Sequence, residues 1–60
     1  MMGKKEFIDE FHSRYNYIEV SDEILGDFFD ESVECLATET DLEYCKDYVL
    51  SQDLAEEVVE

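Results

Sequence analysis

The sequence predicts an all-α chain, a small bundle of three or four short helices completed by homodimerisation. Three observations predict it. Apolar residues recur at helical spacing in three separate stretches. Two of those stretches open on a helix-capping pattern. There is no proline and there are only two glycines in 60 residues. Strand character is confined to 16–20, where a short strand competes with an extended connector. The chain makes one domain, 1–60, and one of this size buries only about 60% of its unfolded surface, so a partner or staple commonly completes it. Val, Ile, Leu and Phe supply 17 of the 60 residues. That share stands above the roughly 20% below which a highly charged chain stays disordered, so a fold is expected.

The first helix is expected at about 4–15. In "KKEFIDEFHSRY", Phe7, Ile8, Phe11 and Tyr15 share one helical face. "NYIEV" then breaks the period: Asn16 favours a turn, and Tyr17 to Val20 are aromatic or β-branched with weak alternation. One strand cannot stand alone, so 16–20 reads first as an extended connector.

The second helix is expected at about 22–37. Ser21 is its N-cap, and Asp22 and Glu23 sit where the helix dipole favours negative charge. Val20 before the cap and Leu25 at the fourth helical position fit a hydrophobic staple. Gly26 costs about 1 kcal/mol relative to Ala in a helix interior, which points to a close approach or a bend. The third helix is expected at about 41–50, with Thr40 and Glu43 as a capping box. Leu42, Cys45 and Val49 follow at i, i+3 and i+7, with Tyr48 beside them. Ser51 either caps a separate last helix reaching 59 or lies inside a continuing third helix.

Charge is the second theme. The net charge is −14 and the pI about 4.1. Residues 1–15 balance Lys4, Lys5 and Arg14 against Glu6, Asp9 and Glu10. Residues 19–60 hold 15 acids and one base, Lys46. Such a surface repels polyanions, which argues against direct contact with nucleic acid or an anionic membrane. It favours a partner with a basic surface, or imitation of a polyanion.

The two themes meet in the second helix, "SDEILGDFFDESVECL". Wound at about 100° per residue, Glu23, Asp27, Asp30 and Glu34 fall within an arc of about 60°. Like charges at i, i+4 are mildly destabilising, and no base stands between Arg14 and Lys46 to relieve them. These four residues are the expected partner-binding stripe. The opposite side carries Ile24, Leu25, Phe28, Phe29, Val33, Cys35 and Leu36 over about 180°, wider than the stripe of a little over 100° on an ordinary surface helix. Ile24, Leu25, Phe28, Phe29 and Leu36 are therefore the expected dimer or apolar interface. A two-fold dimer would double the acidic surface.

No catalytic, cofactor-binding or metal-ligating residue is assigned, and the chain is not expected to be an enzyme. His12 is the single histidine and reads as a surface or helix-edge residue. Cys35 and Cys45 do not match a zinc site and read as reduced, small core residues. The run from Asp27 lacks the order of an EF-hand loop. Tyr15, Tyr17, Tyr44 and Tyr48 rim the core or serve an interface, since Tyr joins apolar area to a polar tip. No apolar run approaches the roughly 18 residues of a membrane span. "MMGKK" lacks the apolar segment of a secretion signal, so a cytoplasmic location is expected, the host cytoplasm for a viral chain.

In size and in the acid excess of "SDEILGDFFDESVECLATETDLEYCKDY", the chain resembles small acidic inhibitors encoded by bacteriophages. These are the anti-restriction, anti-CRISPR and other DNA-mimic antagonists of host defence. The resemblance implies an inhibitor that binds and blocks a host defence or nucleic-acid-handling protein, in part by mimicking the charge of DNA. The alternative is a helical dimerisation or adaptor module that binds through its apolar face and uses acid for solubility alone.

Overall fold

Lys4–Arg14 winds into the first helix, α1, with Phe7 and Phe11 fully buried and Ile8 and Tyr15 packed at the edge of the core. The face expected from the sequence is the face that is buried. The structure is a computed structural model, and it describes residues 1–33 and 35–58. After α1 come β1 (Ile18–Glu19), α2 (Asp22–Ser32), α3 (Glu39–Ser51) and β2 (Glu56–Glu57). The result is a small, mostly helical bundle carrying a two-stranded antiparallel ribbon.

α2 begins as the caps require. The Ser21 hydroxyl accepts from the Ile24 backbone N–H at 3.2 Å, and Leu25 is fully buried with Val20 packed against the same core. α2 runs antiparallel to α1, as side-chain contacts between opposite ends show: Lys4 Nζ to Asp30 at 2.8 Å, and His12 Nε2 to Asp22 at 2.6 Å. Buried Gly26 lies between them. A Cβ there would stand 3.0 Å from Lys4 Cε and 3.9 Å from Ile8 Cδ1. The close approach expected at this glycine is thus made by α1 side chains and not by another backbone.

α2 stops at Ser32, five residues short of the expected end at 37. Val33 leaves the helix in extended conformation and stays buried. Ala37 turns inward and exchanges two backbone hydrogen bonds of 2.8 Å with Met2. This pairing of the N-terminal segment with the loop overrides the helical period, and it leaves Cys35 and Leu36 exposed.

α3 starts one capping register earlier than expected. Thr38 is the N-cap, and the Asp41 carboxylate accepts from its backbone N–H at 2.8 Å and its hydroxyl at 3.2 Å. The "TETDLE" run contains two overlapping patterns of the type Thr-x-x-acid. The earlier one wins because the loop is already held at Ala37, and because Glu39 then reaches Arg14 at 2.9 Å. Leu42, Cys45 and Val49 are buried as expected.

The largest departure follows α3. Ser51 is its last residue, and no helix extends through 52–58; the final residues of the expected helix to 59 lie outside the described residues. Asp53 adopts a left-handed conformation, φ 59°. The Leu54 N–H reaches back to the Val49 carbonyl at 2.8 Å and the Asp53 N–H to Leu50 at 3.3 Å. This is the Schellman closure, which reverses the chain. Glu56–Glu57 then pairs with Ile18–Glu19, Ile18 opposite Glu57 and Glu19 opposite Glu56. The strand reading of 16–20 is therefore the one realised, and its partner comes from the segment expected to be helical.

Left-handed backbone costs a non-glycine residue roughly 1–2 kcal/mol, and a carboxylate at a helix C-terminus opposes the dipole. Asp53→Gly should raise stability by about 1 kcal/mol. In a thermal melt followed by circular dichroism, that gain appears as a rise of about 4–8 °C. A lower melting temperature would show that the Asp53 side chain holds the turn.

The core joins Phe7 and Phe11 of α1, Leu25, Phe28 and Phe29 of α2, and Leu42, Cys45 and Val49 of α3, with Ile18, Val33, Ala37 and Ala55 from the connections. The radius of gyration is 10.5 Å. A folded chain of this length is expected near about 10.4 Å, which the chain matches. Among the described residues no helix is long and apolar enough to cross a membrane.

Candidate partner-binding surface

The expected acidic stripe is divided by the fold. Glu23, Asp27 and Asp30 are all exposed on α2, and Glu34 lies outside the described residues. Asp30 does not belong with the others, because Lys4 holds it at 2.8 Å on the α1 side. Arg14 bridges Glu10 at 2.8 Å and Glu39 at 2.9 Å, and these hydrogen bonds, Glu10 first, raise its pKa further above the ordinary value. Lys46 stands 5.4 Å from the Tyr15 ring centre and 4.0 Å from Asp47.

Among the described residues, no base lies within ion-pair distance of Glu23, Asp27 or Glu31. These three follow at i, i+4 and i+8 along α2, so they form the open acidic row of this helix. Glu31 replaces Asp30 in the row. Its angular position, between the acidic arc and the apolar arc, is visible in the sequence. What was not visible is that Lys4 would claim Asp30.

Beside this row runs an open groove of about 500 Å³. Ile24, nearly buried Phe28, Tyr48 and Leu54 form its apolar part, and Asp27, Glu31 and Ser32 its polar lip. Tyr48 is 38% exposed and Leu54 40%. A smaller hollow of about 280 Å³ adjoins it across Tyr48, between Tyr44, Asp47 and Ser51. The Phe28 ring lies 5.5 Å from Tyr48 and 6.2 Å from Tyr44, so three aromatic rings line the junction. Tyr48 and Tyr44 thus belong to a surface patch, whereas Tyr15 packs on Phe11 at 5.0 Å. The helical period alone did not place Tyr48 and Leu54 in this site. Leu54 arrives only through the left-handed turn at Asp53.

The expected apolar interface is largely used inside the chain. Leu25, Phe28 and Phe29 are buried, packed in the core with Phe7. Ile24 is half-buried at the groove, and Leu36 is exposed in the loop after α2. The wide apolar face is thus explained by two neighbours within one chain, α1 on one flank and α3 on the other. Cys35 is also corrected: it is exposed, and only Cys45 is a core residue. Both thiols are free.

Among the described residues no group of three His, Cys, Asp or Glu side chains is placed to hold a metal ion. His12 lies at a helix edge against Asp22, away from the groove. No protein-family model, curated protein or solved structure matches this chain.

Proposed function

We propose that this chain is a small acidic interaction protein, a phage-type inhibitor that binds the basic surface of a host defence or nucleic-acid-handling protein and blocks it. The observation that supports this reading is the unneutralised row Glu23, Asp27 and Glu31 beside a groove that is part apolar and part acidic. At 1.5 Å rise per residue the row offers one charge per about 6 Å, against one per about 3.4 Å along a DNA strand. The row carries roughly half the linear charge density of the polyanion it would imitate. Charge steers the encounter, and apolar contact adds the rest of the affinity.

The test is relief of defence in cells. Expressing the chain in a bacterium with an active restriction or CRISPR system should raise the transformation efficiency of a targeted plasmid. The double reversal Asp27→Lys, Glu31→Lys should remove the effect while the protein keeps its circular dichroism spectrum, because both side chains are exposed and unpaired. Asp30→Lys is the wrong probe, since it would set a lysine against Lys4. Unchanged relief with the double reversal, or no relief from any defence system, overturns the reading.

A further inference from the structure

The groove on α2 has a shape and a charge that together select one kind of occupant. We infer that it receives a basic amphipathic helix of the partner protein, with an arginine laid across Tyr48 and its guanidinium between Asp27 and Glu31. This inference rests on the proposed function and names the partner's chemistry.

Three observations carry it. First, about 500 Å³ lies within the 300–1,000 Å³ of ordinary ligand pockets, enough for side chains projecting from one turn of a helix. Helices dock in such grooves through anchors at i, i+3, i+4 and i+7. Second, the apolar part and the acidic lip lie side by side. A long cationic side chain satisfies both at once, because its stem covers apolar surface while its head stays with the carboxylates. The chain already shows this chemistry internally, where Lys46 lies 5.4 Å over the Tyr15 ring. A guanidinium suits the site better than an ammonium, because it stacks on an aromatic face and can bond a carboxylate through two N–H groups. Third, charge disfavours a second copy at this groove. Two such grooves meeting across a two-fold axis would set Asp27 and Glu31 against their own equivalents in a pair of chains each of charge −14.

The decisive measurement is an amide NMR titration of the whole chain with three helical peptides of equal length. The first carries arginines on one face and leucines on the other. The second has the same arginines and no leucine. The third replaces arginine by lysine and keeps the leucines. The expected result is that the first peptide binds at least about tenfold tighter than the second, the worth of one buried leucine, and several-fold tighter than the third. Its shifts should centre on Ile24, Glu31, Tyr48 and Leu54. Tyr48→Ala should weaken it by about tenfold and Tyr48→Phe should not, the ring being what the cation meets. Leu54→Lys, at an exposed position, should block the same peptide if Tyr48→Ala disturbs the fold. Equal binding of the first two peptides, with shifts spread over all the acids, would overturn the groove and leave a basic partner in place. Equal binding of arginine and lysine peptides would overturn the assignment of arginine. Binding of none of the peptides would overturn the groove and weigh against the basic partner as well.

Discussion

Phe7→Ala should leave the chain largely unfolded at room temperature and low salt. Phe7 has no exposed surface. Its ring lies 6.2 Å from Phe28, nearly parallel, and 5.5 Å from Phe29. It is therefore the main aromatic contact through which α1 holds α2. Truncating such a ring costs about 3–5 kcal/mol, transfer and cavity together. A natural domain carries about 0.05–0.15 kcal/mol of stability per residue, or roughly 3–9 kcal/mol for this length. The net charge of −14 pushes this chain toward the lower end, because self-repulsion opposes the compact state. The substitution thus removes about as much as the fold possesses. The loss should appear as a collapse of the helical circular dichroism signal. Added salt should restore part of it by screening the repulsion. A melting temperature within a few degrees of the parent would mean that α1 docks by some other contact.

The second large effect is at alkaline pH and belongs to Cys45. Its side chain is fully buried in the core, and burial pushes the thiol from its ordinary 9.0 up to about 12. The folded state keeps the proton while the unfolded chain loses it above pH 9. The unfolded state then binds fewer protons, so stability falls as pH rises. The contribution is complete below about pH 9 and is lost progressively towards pH 12, with a slope approaching about 1.4 kcal/mol per pH unit. Urea melts at stepped pH should show the decline, and Cys45→Ala should flatten it while lowering stability at neutral pH. In the same range exposed Cys35 should react with a thiol reagent in the native state and Cys45 should not. A flat profile in the parent protein would show that Cys45 reaches water in the folded state.

Both effects trace back to residues whose place was readable in the sequence. Phe7, Phe11, Leu25, Leu42, Cys45 and Val49 lie on regular helical periods, and each is buried. The start of α2 was readable for a local reason as well, since the Ser21 cap and the first-turn acids Asp22 and Glu23 act within a few residues. The acidic surface was readable from composition, because a chain with 18 acids and four Lys or Arg must display an excess of acid somewhere.

The misplacements share one cause. Each was decided by a contact between residues far apart in the chain. α2 ends at Ser32 because Ala37 pairs with Met2. The segment after α3 is a strand because Asp53 turns it back onto Ile18–Glu19. Asp30 leaves the acidic row because Lys4 claims it, and Phe28 and Phe29 leave the expected seam because Phe7 takes them into the core. The candidate site inherits this. Its acidic row and Ile24 are local features of one helix, while Tyr48 and Leu54 join them only through the packing of α3 and its closing turn. By itself the sequence determined helix type, core periodicity and net charge, because these depend on neighbours three or four residues away or on composition. Tertiary structure alone decided where α2 stops, that the tail pairs as a strand, and which acids remain free to meet a partner. Those outcomes depend on long-range contacts whose combined free energy outweighs local preference.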